Sequence, residues 1–350
     1  MTHELKTGGD RGYLRIATEE AFGPQEMFAK YREILQGPDV DPGFRSLWGF
    51  YSASPSPRAT RIMEQLVDLG ERRLHDMDVT GIDRAVLALT APGVQIMDRD
   101  DAVGIAELAN DQLAEAIRKH PDRFSGMTAI APQDPAQAAR EIERGAKELG
   151  MSAVVVNSHT HGEYLDKQKF WPIFEAAEAV GHAIYIHPQT PSRGMIGPLL
   201  EAGLDSAIYG FAVETGMHLL RIIVAGVFDR FPDLKIIVGH CGEALPFWLY
   251  RMDYMHAVSV RAGRYPNMKP LKKTVSDYMR ENVYITNSGV AWEPAISFCQ
   301  KVLGMDRVLY AMDYPYQYEA DEVRACDNLP LSAADKKKFF QENAEAVFGL

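Results

Sequence analysis

Eight times along its 350 residues, the chain places a short, continuously apolar run before a stretch with helical spacing. The runs are 14–22, 82–90, 124–132, 152–157, 182–188, 235–240, 283–289 and 307–315. Between them, apolar residues step by three or four, as in Ile105, Ala109, Leu113 and Ile117, which mark one face of a helix. Strands apolar at every position rather than every second one are buried on both faces, which calls for a parallel sheet covered by helices. Eight such units favour an α/β fold closed into a (β/α)8 TIM-like barrel. An open doubly wound sheet would need a glycine-rich phosphate turn after the first strand, and Glu19-Glu20-Ala21-Phe22-Gly23-Pro24 is not one.

Residues 1–12 read as a flexible leader and 13–350 as a single domain. Residues 23–60 are long and irregular, rich in proline, serine and aromatics, and read as an insertion capping the C-terminal face of the barrel. A formal net charge of −11 argues against nucleic acid or an anionic membrane as partner. Cys241, Cys299 and Cys326 are odd in number and in no CxxC spacing, which suits a reduced cytoplasmic protein.

In a barrel of this kind the chemistry sits where strands end. The first run carries Glu19 and Glu20, the fifth ends at His187, the sixth at His240, and the eighth leads into Asp313. Glu19, His187 and Asp313 are the candidate metal ligands. Three protein ligands with open positions make a catalytic site rather than a structural one. Two carboxylates and one imidazole favour Mn2+ or Mg2+, with Zn2+ also compatible. In His240-Cys241-Gly242-Glu243 the carboxylate can hold the imidazole in one tautomer, or complement a helix N-terminus. Arg58 and Arg251 are candidate carboxylate clamps, or else surface ion pairs. Trp48, Phe50, Tyr51, Tyr314 and Tyr316 suit a flat apolar ligand, or ordinary packing of a cap. His159 and His161 read as rim or surface residues.

Five motifs in order, Ala17-Thr-Glu-Glu-Ala-Phe22, Ile186-His-Pro188, Gly239-His-Cys-Gly-Glu243, Met312-Asp-Tyr-Pro-Tyr316 and Asn343-Ala-Glu-Ala-Val-Phe-Gly349, resemble the decarboxylase branch of the amidohydrolase superfamily. Within it the pattern is most similar to the 5-carboxyvanillate decarboxylases, and next to the γ-resorcylate and 2,3-dihydroxybenzoate decarboxylases. The resemblance implies an amidohydrolase-type barrel with one divalent metal, Mn2+ first, held by Glu19, His187 and Asp313. It implies His240 and Glu243 as a catalytic pair beside Asp313, and Arg58, Thr90, Arg251 and Tyr316 as substrate-site residues, to which the loop aromatics add Tyr51. It also implies a homo-oligomer, a dimer or larger. The reaction implied is the non-oxidative decarboxylation of an ortho-hydroxybenzoate, 5-carboxyvanillate foremost, in lignin-derived aromatic catabolism. Ala21 stands where some relatives carry a histidine. The alternative is a metal-dependent amidohydrolase or lactonase using metal-bound water.

Overall fold

The computed structural model describes residues 11–350. Eight parallel strands run in sequence order around one barrel: β1 (Ile16–Phe22), β2 (Arg84–Leu89), β3 (Phe124–Ala129), β4 (Ala153–Asn157), β5 (Ala183–His187), β6 (Ile236–Val238), β7 (Val283–Thr286) and β8 (Val308–Leu309). Backbone bonds from Thr18 N to Tyr310 O (3.1 Å) and from Ala21 N to Tyr314 O (2.7 Å) join the last segment to the first. Helices lie between the strands, as the alternation of runs requires.

The strand interiors are apolar and almost wholly buried, with Val86, Val154, Ile184, Ile236 and Ile285 among the core residues. Barrel closure leaves them no solvent-facing side, and this is why their sequence does not alternate. All three cysteines are free and buried. Among the described residues no helix is long and apolar enough to cross a membrane. Residues 1–10 of the expected leader lie outside the described residues, while Arg11 forms an ion pair with Asp83.

Two expectations are corrected. The eighth run, expected as a strand over 307–315, is a strand only at Val308–Leu309. Beyond it the chain turns away, with Asp313 at φ +73°. Residues 23–60, expected to be irregular, hold helices α1 (Gln25–Leu35) and α2 (Pro42–Ala53) and the start of α3 (Pro57–Leu66). Prolines that look like helix breakers sit at first-turn positions, where a missing N–H costs nothing. Asp41 caps α2, its Oδ1 accepting from Gly43 N (2.9 Å) and Phe44 N (3.0 Å). Phe44, Trp48 and Tyr51 then share a helix face, and Trp48 packs against Phe28 and Tyr31 of α1. The indole N–H of Trp48 donates to Ala91 O (3.0 Å) and ties α2 to the loop after β2.

Candidate active site

Glu19 lies in the middle of β1, not at its end as the sequence suggested, because Ala21 and Phe22 continue pairing with Ala88 and Leu89. The register slips between Ala17 and Glu20, so Thr18 and Glu19 together oppose one residue of β2. Such a bulge re-aims a side chain. The two adjacent glutamates consequently do different work. Glu20 accepts from Met312 N (3.0 Å) and Tyr314 N (3.2 Å), bracing the segment that carries Asp313. Burial pushes its carboxyl up to about 8. Glu19 points into the barrel mouth, where its Oε2 accepts from the Tyr185 hydroxyl and from Thr286 Oγ1 (2.9 Å). Its Oε1 is buried and has no hydrogen-bond partner.

That free oxygen faces imidazoles. His187 Nε2 lies 3.5 Å from it and His240 Nε2 3.7 Å. His187 Nδ1 meets Pro188 O at 2.8 Å, which puts the ring proton on Nδ1 and leaves Nε2 a lone pair directed at the mouth. His240 follows β6 in a run of left-handed backbone: His240, Cys241, Gly242, Glu243 and Ala244 have φ between +50° and +72°. Left-handed geometry costs an ordinary residue roughly 1–2 kcal/mol, so this turn persists only because its surroundings hold it. One visible return is the bond from His240 Nδ1 to Glu243 Oε1 (2.9 Å). Glu243 therefore engages the imidazole, and the next helix starts only at Leu245. Burial alone would lower the His240 imidazole; the carboxylates of Glu243, Glu19 and Asp313 reverse this and push it up to about 10. Asp313 is driven the other way. Burial, reinforced by the nearby Glu19 charge, raises its carboxyl well above the usual range.

Among the described residues, Glu19, His240 and Asp313 form a group with one ligand atom from each within 4.8 Å of the others. His187 lies outside that 4.8 Å group, yet its Nε2 is nearer Glu19 Oε1 (3.5 Å) than the Nε2 of His240 is (3.7 Å). An unpartnered buried carboxylate oxygen between two imidazoles and a second carboxyl is a poor arrangement in isolation. It becomes a good one around a divalent cation, so the residues present fit a metal.

Above this group is a cavity of about 270 Å3, lined among others by His187, His240, Asp313, Tyr51, Arg58 and Tyr316. It lies at the small end of ligand pockets, suited to a single-ring molecule. Arg58 Nη2 donates to Tyr316 O (2.7 Å), and Tyr316 OH pairs with Thr90 Oγ1 (2.6 Å) just behind the wall. Of the five aromatics considered, only Tyr51 and Tyr316 reach the cavity. Trp48 is core, Phe50 is exposed, and the Tyr314 hydroxyl donates to Asp76. Arg251 is exposed on its helix and outside the cavity of its own chain. His159 is buried, its ring nitrogens occupied by Thr190 O and Gly162 N, and His161 Nε2 meets Met97 O. Neither joins the site. Sequence reasoning missed Leu47, Phe211 and Gln317 in the wall. It also missed Tyr185, although Tyr185 sits two residues before His187 and so on the same face of β5.

The family model for amidohydrolases matches residues 57–350. The chain belongs to the amidohydrolase family. It is 36% identical over 348 residues to a γ-resorcylate decarboxylase of Polaromonas sp. (strain JS666), covering 96% of this chain and 98% of that one. Among solved structures it is 62% identical, with TM-score 0.98 and full coverage of both chains, to a 5-carboxyvanillate decarboxylase of Novosphingobium aromaticivorans complexed with manganese and 4-hydroxy-3-methoxy-5-nitrobenzoic acid. A 5-carboxyvanillate decarboxylase from Sphingomonas paucimobilis is 39% identical, with TM-score 0.91 over 97% of this chain and 100% of that one. The expected barrel type and family are thus both met in this chain.

Proposed function

We propose that this chain is a metal-dependent decarboxylase of ortho-hydroxybenzoates that converts 5-carboxyvanillate to vanillate and CO2. The observation that carries the reading is the cavity itself. At its base an acid with a strongly raised carboxyl, Asp313, stands beside His240, and at its rim stands the guanidinium of Arg58. The relative solved with manganese and a nitro analogue of such a substrate supports the choice of ring and of metal.

Glu19, His187 and Asp313 would hold one divalent metal, Mn2+ first, His187 through the Nε2 lone pair that its Nδ1 contact with Pro188 O leaves free. When bound, the metal supplies positive charge that orients adjacent phenolate and carboxylate oxygens and stabilises charge developing on them. Simple loss of CO2 from an aromatic ring would leave an aryl carbanion with no orbital to delocalise it. Protonation of the ring carbon must come first. Asp313 takes the phenolic proton as the substrate enters and delivers it to the carbon bearing the carboxylate, giving a dienone. The carbon–carbon bond to the carboxylate then breaks, and its electron pair restores the aromatic ring. His240, held at Nδ1 by Glu243, presents Nε2 to the departing carboxylate. Arg58 pairs with the carboxylate that remains on the product, in a fork that lysine does not reproduce. Tyr51 and Tyr316 flank the ring, with Thr90 fixing the Tyr316 hydroxyl.

A homodimer belongs to the same proposal. The helix Leu245–Arg261 exposes Phe247 (71%), Tyr250 (86%) and Tyr254 (61%), with Trp248 beside them. An apolar face of that size on a folded chain marks an association surface. Arg251 projects from the same helix, and its route to a substrate is the mouth of a neighbouring copy.

The test is a panel of ortho-hydroxybenzoates and aryl lactones with the Mn2+-loaded protein, reading CO2 release and ring-opened acid. CO2 from 5-carboxyvanillate in preference to 2,6-dihydroxybenzoate supports the reading. Lactone opening without CO2 release overturns it.

A further inference from the structure

The ring of polar groups behind Glu19 has no part in the chemistry above, and three strands contribute to it. Tyr185 points inward from β5, Thr286 ends β7, and Gly239 follows β6 immediately before His240. Tyr185, Thr286 and Glu19 are all buried to 2% exposure or less. The Tyr185 hydroxyl donates to Glu19 Oε2 and also lies 3.2 Å from Thr286 Oγ1, which itself donates to Oε2 (2.9 Å). Both donors converge on one carboxylate oxygen, and the other, Oε1, is left with none. Gly239 makes the arrangement possible. A Cβ there would lie 2.6 Å from Glu19 Oε2, 3.0 Å from Oε1 and 3.1 Å from the Tyr185 oxygen. Real Cβ atoms are not found at the first of these distances, so a side chain at 239 must displace the carboxylate.

We propose that Tyr185, Thr286 and Gly239 form a cradle that positions the Glu19 carboxylate for one-oxygen metal ligation, Tyr185 and Thr286 by binding Oε2 and Gly239 by leaving room for it. This inference rests on the reading of Glu19 as a metal ligand and extends it to residues that touch neither metal nor substrate. The cradle acts in two ways. It fixes the side-chain rotamer before metal arrives, so that no ordering is needed on binding. It also occupies the second oxygen, which disfavours bidentate chelation and keeps coordination positions open for two substrate oxygens. Outer-shell partners of this kind are typically worth about 10–100-fold in metal affinity.

Mn2+ dissociation constants are to be measured by titration of the metal-free protein, with circular dichroism and thermal melting of each metal-free variant alongside. Tyr185→Phe and Thr286→Val are expected to keep the fold and weaken Mn2+ binding by about 10-fold or more each. Thr286→Ser, which keeps the donor, should restore wild-type affinity. Gly239→Ala should weaken binding at least as much as either. Electron paramagnetic resonance of bound Mn2+ should change in Tyr185→Phe, a signature that loss of packing alone does not produce. Glu19→Gln is the control for the underlying reading. If Glu19→Gln loses Mn2+ while Tyr185→Phe and Thr286→Val stay within twofold of wild type, the cradle is refuted and the ligand assignment stands. If Glu19→Gln binds Mn2+ like wild type, the ligand assignment itself falls and the cradle with it. Should Tyr185→Phe fail to fold, the contrast between Thr286→Val and Thr286→Ser decides: equal affinities overturn the proposal.

Discussion

Replacing Asp313 with asparagine should yield a protein that is nearly inactive and, without metal, more stable than wild type. The change removes the carboxylate that accepts and delivers the proton while keeping shape and volume. Positioned general acids contribute about 10²–10⁴-fold, so turnover of 5-carboxyvanillate should fall by at least about 100-fold. The stability effect comes from the same geometry. Asp313 and Glu19 offer oxygens within 4.8 Å of each other. Two full charges at that separation repel by about 3 kcal/mol at an effective dielectric of about 20. His240 offsets part of this, and partial exposure of Asp313 screens more. The sign follows from the raised Asp313 carboxyl. A group that holds its proton more tightly when folded contributes stability that is full below its unfolded value and is lost as pH rises through the folded one. Asparagine carries no such loss. Melting curves of the two metal-free proteins should therefore coincide near pH 4 and separate as pH rises, with the variant higher by a few degrees at about 2 °C per kcal/mol. Turnover of the Mn2+-loaded variant is read as CO2 release. Wild-type turnover would refute the assignment of the acid. A variant that melts below wild type throughout would refute the electrostatic argument even if it is inactive.

Arg58→Ala should raise KM for 5-carboxyvanillate by at least about 10-fold, the loss of one charge-assisted contact, and Arg58→Lys should recover little of it. Steady-state kinetics on 5-carboxyvanillate against 2-hydroxybenzoate checks this, since the monocarboxylate should be indifferent to the change. Paired Phe247→Asp and Tyr250→Asp substitutions place charges on the exposed aromatic face and should give monomers by sedimentation velocity. If the wild type is already monomeric, the dimer proposal fails.

Much of the fold was legible because barrel strands are buried on both sides, and burial on both sides writes itself into sequence as unbroken apolar runs. Element order, strand count and the residues at or near the strand ends follow from that one constraint. Residues 23–60 look irregular in sequence because proline, serine and glycine serve equally as helix caps and as breakers. Only packing against Phe28, Tyr31 and Ala91 selects the first use. Residue type together with position at or near the ends of the runs indicated that Glu19, His187, His240 and Asp313 could meet. How Glu19 and His240 are aimed was decided elsewhere, by a slipped register in β1 and by five consecutive left-handed residues after β6. Neither has a local signature, since four of those five residues are not glycine. Their conformation is imposed by neighbours distant along the chain, and so it belongs to the tertiary structure. The same holds for the two hydroxyls behind Glu19. Their residue types could be read from the strands, but their convergence on a single oxygen required the closed barrel.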